Sequence, residues 1–139
     1  DRFAAVLPLY HISAFTVTMV APLAHGGSLA LAPRFSATRF WPLVVDRRCT
    51  WINVVPTIIS YLLDGDAPNL AAIEAVRTCR SASAALPPEH HRAFEARFGI
   101  GIIETIGLTE TVALAFRSPL DPEQRRIGLV VRASGCAAR

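Results

Sequence analysis

Lysine is missing from this sequence of 139 residues, and all 14 positive side chains are arginine. The chain therefore supplies no Schiff base, no amine nucleophile and no phosphate-loop lysine. Cysteine is scarce: Cys49, Cys79 and Cys136 stand too far apart for a Cys-x-x-Cys zinc or redox motif, and an odd count does not fit a secreted disulfide framework. Reduced thiols in a cytoplasmic protein are the expectation. Long apolar runs are also absent. The most apolar segment, Ile12 to Ala24, falls short of the roughly 20 residues a membrane span needs, contains Pro22 and reads as a buried helix. No charged N-terminal region with a small-residue cleavage site opens the chain. Asp1-Arg2-Phe3-Ala4 starts as though in mid-protein, and Ala133 to Arg139 forms no recognisable element, so both ends read as cut from something larger.

What is present is a globular balance, 52% apolar and 18% charged, at a length typical of one domain with a real core. The net charge of +3 and pI near 9.2 raise nucleic-acid binding as a class. The distribution argues against it, because the arginines are scattered, paired only at Arg47-Arg48 and Arg125-Arg126, and form no basic stripe interleaved with aromatics. No nucleic-acid partner is expected.

Hydrophobic periodicity predicts alternating elements. Phe3 to Leu9 suits a buried strand, and Ser13 is placed to cap a helix running to about Ala24, ended by Gly26-Gly27. Ser28 to Ala32 is the next strand. Ser36 is placed to cap a helix through about Arg47, with Phe40, Leu43 and Val44 on one side. Thr50 to Val54 is β-branched and Trp-containing, and Pro56 opens a helix over Ile58 to Leu63. After a turn at Gly65 to Pro68 come a strand at Ala75 to Ser81, a helix at Pro87 to Phe98 and a strand at Ile100 to Ile106. Val112 to Phe116 is a weaker strand candidate, and Ser118 to Arg126 a polar loop. The class is α/β, a mostly parallel sheet covered by helices.

Within that frame the run Ile102 to Thr111, Ile-Ile-Glu-Thr-Ile-Gly-Leu-Thr-Glu-Thr, carries the chemistry. A strand ends at Gly107, whose backbone can take φ > 0 or approach a ligand closely. Thr109 can then donate to a phosphate oxygen, and Glu110 can ligate Mg²⁺ through oxygen. The same residues also fit a plainer arrangement, a Thr N-cap with a first-turn Glu that satisfies helix N–H groups. Two further stretches follow predicted strands, Leu7-Pro8-Leu9-Tyr10-His11 and Arg80 to Pro87. In a parallel sheet all three emerge on one edge, where ligands of open α/β sheets bind. His90-His91 beside Glu89 reads instead as a solvated helix start, since adjacent helical residues diverge and no complete ligand set accompanies them.

Pro-Leu-Tyr-His, Gly26-Gly27-Ser28, Val55-Pro56-Thr57, Ser-Ala-Ser-Ala-Ala-Leu and Gly-Leu-Thr-Glu-Thr, in this order and spacing, resemble the adenylate-forming superfamily of acyl-CoA synthetases, aryl-acid CoA ligases, luciferases and peptide-synthetase adenylation domains. The resemblance extends to about Gly128. It implies that residues 1–139 are a partial AMP-binding (adenylation) N-terminal domain, with ATP/AMP, Mg²⁺ and CoA as the parent's cofactors and co-substrates and a small-molecule carboxylic acid, fatty or aromatic, as substrate. It further implies that His11 lines the acyl pocket and that Ala82, Ser83 and Ala84 lie along the adenine. On the same grounds Glu104, Thr105, Ile106 and Gly107 form the other wall of the nucleotide site, Thr109 contacts phosphate, and Glu110 holds Mg²⁺.

The sequence departs from the family at Ile106, where an aromatic ring commonly stacks on adenine, and along Arg126 to Arg132, which only partly follows a Gly-Ser-Val-Gly turn. The phosphate loop with its lysine, the ribose-binding aspartate and the C-terminal lysine domain have no counterpart. The expectation is a fragment of an acyl- or aryl-CoA ligase, inactive in isolation. The alternatives are a non-catalytic binding module derived from one, or an independent small nucleotide-binding domain. The helix after His11 and the Trp51 to Thr57 stretch suit either a medium-chain or aryl pocket or plain core packing. Apolar surface left uncovered would favour self-association.

Overall fold

The computed structural model describes residues 1–112, 114–130 and 132–133. Its seven-stranded sheet has the order β2-β1-β3-β4-β5-β6-β7, built from β1 (Arg2–Ala5), β2 (Ser28–Leu31), β3 (Trp51–Val54), β4 (Thr78–Ser81), β5 (Ile102–Gly107), β6 (Leu114–Arg117) and β7 (Arg132–Ala133). The pairings among β1 to β5 are parallel, and β6 and β7 add antiparallel strands at one edge. The helices are α1 (Ala21–Ala24), which continues a π-helical stretch Ala14–Val20, then α2 (Ala37–Asp46), α3 (Pro56–Asp64) and α4 (Pro88–Phe98). The α/β class and the mostly parallel sheet are as expected from the sequence.

Alternation along each strand divides the sheet's two faces. Ile52, Val54 and Cys79 join a core with Phe40, Trp41 and Val44 of α2, Ile59 and Leu62 of α3, and Phe94 and Phe98 of α4. Trp41 and Phe94 each bring a ring centroid to 4.8 Å from that of Phe98. Asn53 and Arg80, the intervening residues, turn instead toward the π-helical stretch: the Asn53 amide donates to Thr18 Oγ1 at 2.7 Å and Arg80 donates to Ser13 Oγ at 2.9 Å. Trp51 stacks on Phe3 at 5.3 Å, so the Trp51 stretch serves packing.

Several boundaries differ from expectation. β1 stops at Ala5 because the chain turns at Pro8, whose carbonyl accepts the His11 N–H at 3.0 Å. Ser13 does not cap: its backbone is already α-helical, with φ −62° and ψ −41°, and its hydroxyl is taken by Arg80. Ser36 stands at the start of α2, yet its hydroxyl pairs with Thr38 Oγ1 at 3.2 Å and makes no cap bond. The Gly26-Gly27 turn does need glycine. Gly26 has φ +71°, and a Cβ on Gly27 would lie 2.9 Å from the Pro22 carbonyl oxygen.

The Ala75 end of the expected fourth strand lies in a turn after an unforeseen 3-10 segment, Leu70–Ile73, whose start Asn69 caps by accepting the Ala71 N–H at 3.1 Å. The weak strand at Val112 to Phe116 is displaced to Leu114–Arg117, and Ala133, expected to be structureless, pairs with Phe116. Cys136 and the rest of the last six residues lie outside the described residues.

Candidate active site

Two clefts open where β1, β4 and β5 end, and they meet. The first, about 40 Å³, is lined by His11, Ile12, Ser13, Thr16 and Val17 from the β1 end and the π-helical stretch, by Arg80, Ala82 and Ser83 from β4 and its loop, and by Gly107 and Leu108. The second, about 540 Å³, runs between Ser83 to Leu86 on one wall and Glu104 to Leu108 on the other, with Gly128 nearby. Ser83, Gly107 and Leu108 belong to both. His11, Ala82 to Ala84 and Glu104 to Gly107 are thus brought together as the sequence pattern anticipated.

Of the three non-glycine residues with positive φ among the described residues, Arg48 lies in the turn after α2 and the other two lie at this junction. Ser83 has φ +75° and Val112 φ +63°, conformations costly for residues with a Cβ and found most often at ligand sites. Gly107 is not among the positive-φ residues; it stays in β5, where the register to β6 shifts between Ile106 and Gly107. Thr109 and Glu110 follow in an exposed 3-10 turn, Thr109–Thr111. The plainer reading holds in part: a capped turn forms with Glu110 in its first turn, but it is 3-10 rather than α-helical, and the capping hydroxyl is Thr111, which accepts the Leu108 N–H at 3.1 Å, and not Thr109. Among the described residues the Glu110 carboxylate makes no hydrogen bond or ion pair, so its oxygens are available.

The groove also presents polar atoms without protein partners. Ser81 Oγ and Thr105 Oγ1 are buried in its wall and unbonded. Ile106 is 51% exposed beside them, an apolar flank with no ring.

Glu104 is different. Its carboxylate accepts from His91 Nδ1 at 3.0 Å and from the Gly128 N–H at 3.4 Å. Burial alone would raise its pKa, but these hydrogen bonds and the imidazole charge outweigh that and hold the carboxyl below its usual value. His91 is therefore no part of a solvated helix start. Pro88 begins α4, so His91 falls on the inward face with Phe94 and Phe98, 3% exposed, and its Nε2 faces Glu95 Oε1 at 3.2 Å. His90 turns away to Ser60 Oγ at 3.2 Å. No group of three or more His, Cys, Asp or Glu suited to a metal occurs among the described residues. The pair braces α4 against the groove wall.

Arg80 stands at the head of the Arg80 to Pro87 stretch, and the family resemblance gives it no role. It is 5% exposed, and Nη1 donates to Ser13 Oγ at 2.9 Å and Asn53 Oδ1 at 2.8 Å. The signal available in the sequence was a lone arginine inside a strand between Cys79 and Ser81. Cys49 and Cys79 are buried, and burial pushes both thiols up, away from nucleophilic use. No helix of the described residues is long and apolar enough to cross a membrane.

Comparison with known proteins adds lineage to this geometry. A sequence profile described as AMP-binding enzyme matches residues 1–137. The sulfoacetate–CoA ligase of Cupriavidus necator is 63% identical over 139 residues, covering 100% of this chain and 27% of that protein. The oxalate–CoA ligase of Arabidopsis thaliana is 35% identical over 126 residues, covering 88% of this chain and 24% of that protein. A benzoate CoA ligase structure from Burkholderia xenovorans superposes with a TM-score of 0.85 at 28% identity, over 96% of this chain and 27% of that one.

Proposed function

The chain belongs to the AMP-binding enzyme family, and from that membership we propose that it is the middle of the large N-terminal domain of an ATP-dependent acid–CoA ligase. It is homologous to CoA ligases and spans 27% and 24% of the length of the two described above. The observation that carries the reading is the junction of the two clefts at Ser83, Gly107 and Leu108. A carboxylate entering past His11 and a nucleotide lying along Ser83 to Leu86 would meet there.

The reaction has two steps. A carboxylate oxygen attacks the α-phosphorus of ATP, releasing pyrophosphate and leaving an acyl-adenylate; the CoA thiolate then attacks the acyl carbon and displaces AMP. Neither step needs a protein nucleophile, in keeping with a chain without lysine whose described cysteines are buried. What the residues contribute is position and charge complementarity. Ala82, Ser83 and Ala84 leave room for the adenine against the Glu104 to Gly107 wall. The unbonded hydroxyls of Ser81 and Thr105 offer polar contacts to it. Thr109 donates to a phosphate oxygen.

A single exposed carboxylate suits Mg²⁺, which keeps several waters and takes its other ligands from phosphates, and Glu110 would hold it. When bound, the ion would neutralise phosphate charge. The relatives' acids, sulfoacetate and oxalate, are short and polar, and a cleft of about 40 Å³ beside His11 suits such an acid better than a medium-chain or aryl group.

Calorimetric titration of the chain with AMP, ATP–Mg²⁺ and a non-hydrolysable acyl-adenylate tests the reading. Binding weakened by Thr109→Ala and Glu110→Ala supports it, and no binding at any accessible concentration refutes it. Pyrophosphate release by the isolated chain stays at blank, because the lysines of the phosphate loop and the C-terminal domain are not in it.

A further inference from the structure

Arg80 has a charge that packing does not answer. Its hydrogen-bond partners, Ser13 Oγ and Asn53 Oδ1, are neutral. Its Nε is buried without a partner, and no carboxylate lies within ion-pair distance among the described residues. Burial lowers the guanidinium pKa to about 10, which still leaves it protonated at neutral pH. A buried charge is unfavourable unless paired, so a fold that keeps one in a cleft wall is holding it for something that enters the cleft.

The side chain is also fixed in place. Asn53, which holds Nη1, is itself anchored by donating to Thr18 Oγ1 at 2.7 Å. With both Nη1 hydrogens taken by Ser13 Oγ and Asn53 Oδ1 and Nε buried, the immobilised Nη2 is the atom left to meet an oxyanion, by a charge-assisted hydrogen bond. The cleft it lines, about 40 Å³, holds about three water-sized groups at roughly 10–15 Å³ each. That is room for a small charged group rather than an alkyl chain. Arg80 precedes Ser83 by three residues, up to about 10 Å of extended chain, so it lies back from the junction where the reacting carboxylate must sit.

We infer that Arg80 receives a second, non-reacting oxyanion of the acid, a sulfonate or carboxylate one or two carbons from the carboxyl that is activated. This rests on the ligase reading and narrows it to short dianionic acids.

The test is calorimetric titration of the chain with malonate, sulfoacetate, acetate and propionate, with AMP titrated into the same samples. Malonate and sulfoacetate bind at least about 30-fold more tightly than acetate or propionate, the lower end of what a buried charge pair contributes. Arg80→Met abolishes that preference; it removes an unpaired buried charge but also leaves Asn53 Oδ1 without its donor. Should Arg80→Met fail to fold, Arg80→Gln keeps polar contact with Asn53 and lacks the charge, and the preference must vanish there too. Equal affinity for acetate and malonate, or a preference that survives in the substituted chain, overturns the inference. If AMP binds while the dianion preference is absent, Arg80 fails and the ligase reading stands; a dianion preference without AMP binding supports Arg80 and removes the nucleotide reading.

Discussion

Replacing His91 by alanine probes the brace behind the groove that Glu104 lines. The imidazole is buried and donates to a carboxylate that is itself 7% exposed, at 3.0 Å. Without it, Glu104 keeps the 3.4 Å bond from the Gly128 N–H and a backbone interaction with Leu86, but no side-chain donor. Removing one partner of such a pair costs about 3–5 kcal/mol, because the remaining charge stays buried. With an unfolding entropy near 2.1 cal/mol/K per residue, 139 residues give about 0.3 kcal/mol/K, so a loss of 3 kcal/mol lowers the melting temperature by roughly 10 °C. Calorimetric melting of the parent, His91→Ala, Glu104→Ala and the double variant closes a double-mutant cycle. A drop below about 3 °C for His91→Ala, or strictly additive single effects, would refute the brace.

The same pair sets a pH dependence. The folded pKa of Glu104 lies below its unfolded value, so the unfolded chain binds more protons and the contribution to stability is complete above about pH 4.3. It is lost as pH falls through the folded pKa, and acid melting curves of Glu104→Gln lack that limb.

Three further outcomes are expected. Ile106→Tyr, which places a ring on the groove flank, tightens AMP binding at least about 5-fold, since base–aromatic stacking contributes about 1–3 kcal/mol; unchanged affinity places the adenine elsewhere. Ser83→Gly relieves the φ of +75° and raises stability by up to about 1 kcal/mol, read from denaturant midpoints, and a loss of stability shows that the hydroxyl matters more than the strain. Leu31, Leu108 and Val112 are 59%, 59% and 62% exposed, so light scattering shows mass increasing with concentration; a monomer across the micromolar range excludes self-association.

The order of elements and the parallel character of β1 to β5 were legible because apolar runs, prolines and turn residues mark local preference directly. Boundaries were less so. Pro8 ended β1 early, and the hydroxyls of Ser13 and Ser36, natural caps by sequence, were claimed by Arg80 and Thr38. What was legible of the candidate site was placement: Ala82 to Ala84 line the joined clefts as their position after β4 predicts, while Thr109 and Glu110 follow in the exposed turn beyond β5.

The sequence by itself determined that the chain is an α/β body carrying adenylate-forming motifs, that lysine chemistry is absent from it, and that Ile106 offers no ring. The tertiary structure alone decided the environments. It buried His91 against Glu104 when the local pattern read solvent, and it joined two clefts at Ser83 and Gly107. It also set Arg80 in a wall with neutral partners only. The physical reason is that a side chain's charge cost and hydrogen-bond partners depend on neighbours distant in sequence, such as Asn53, 27 residues from Arg80, and Glu104, 13 from His91, and local propensity does not encode those contacts.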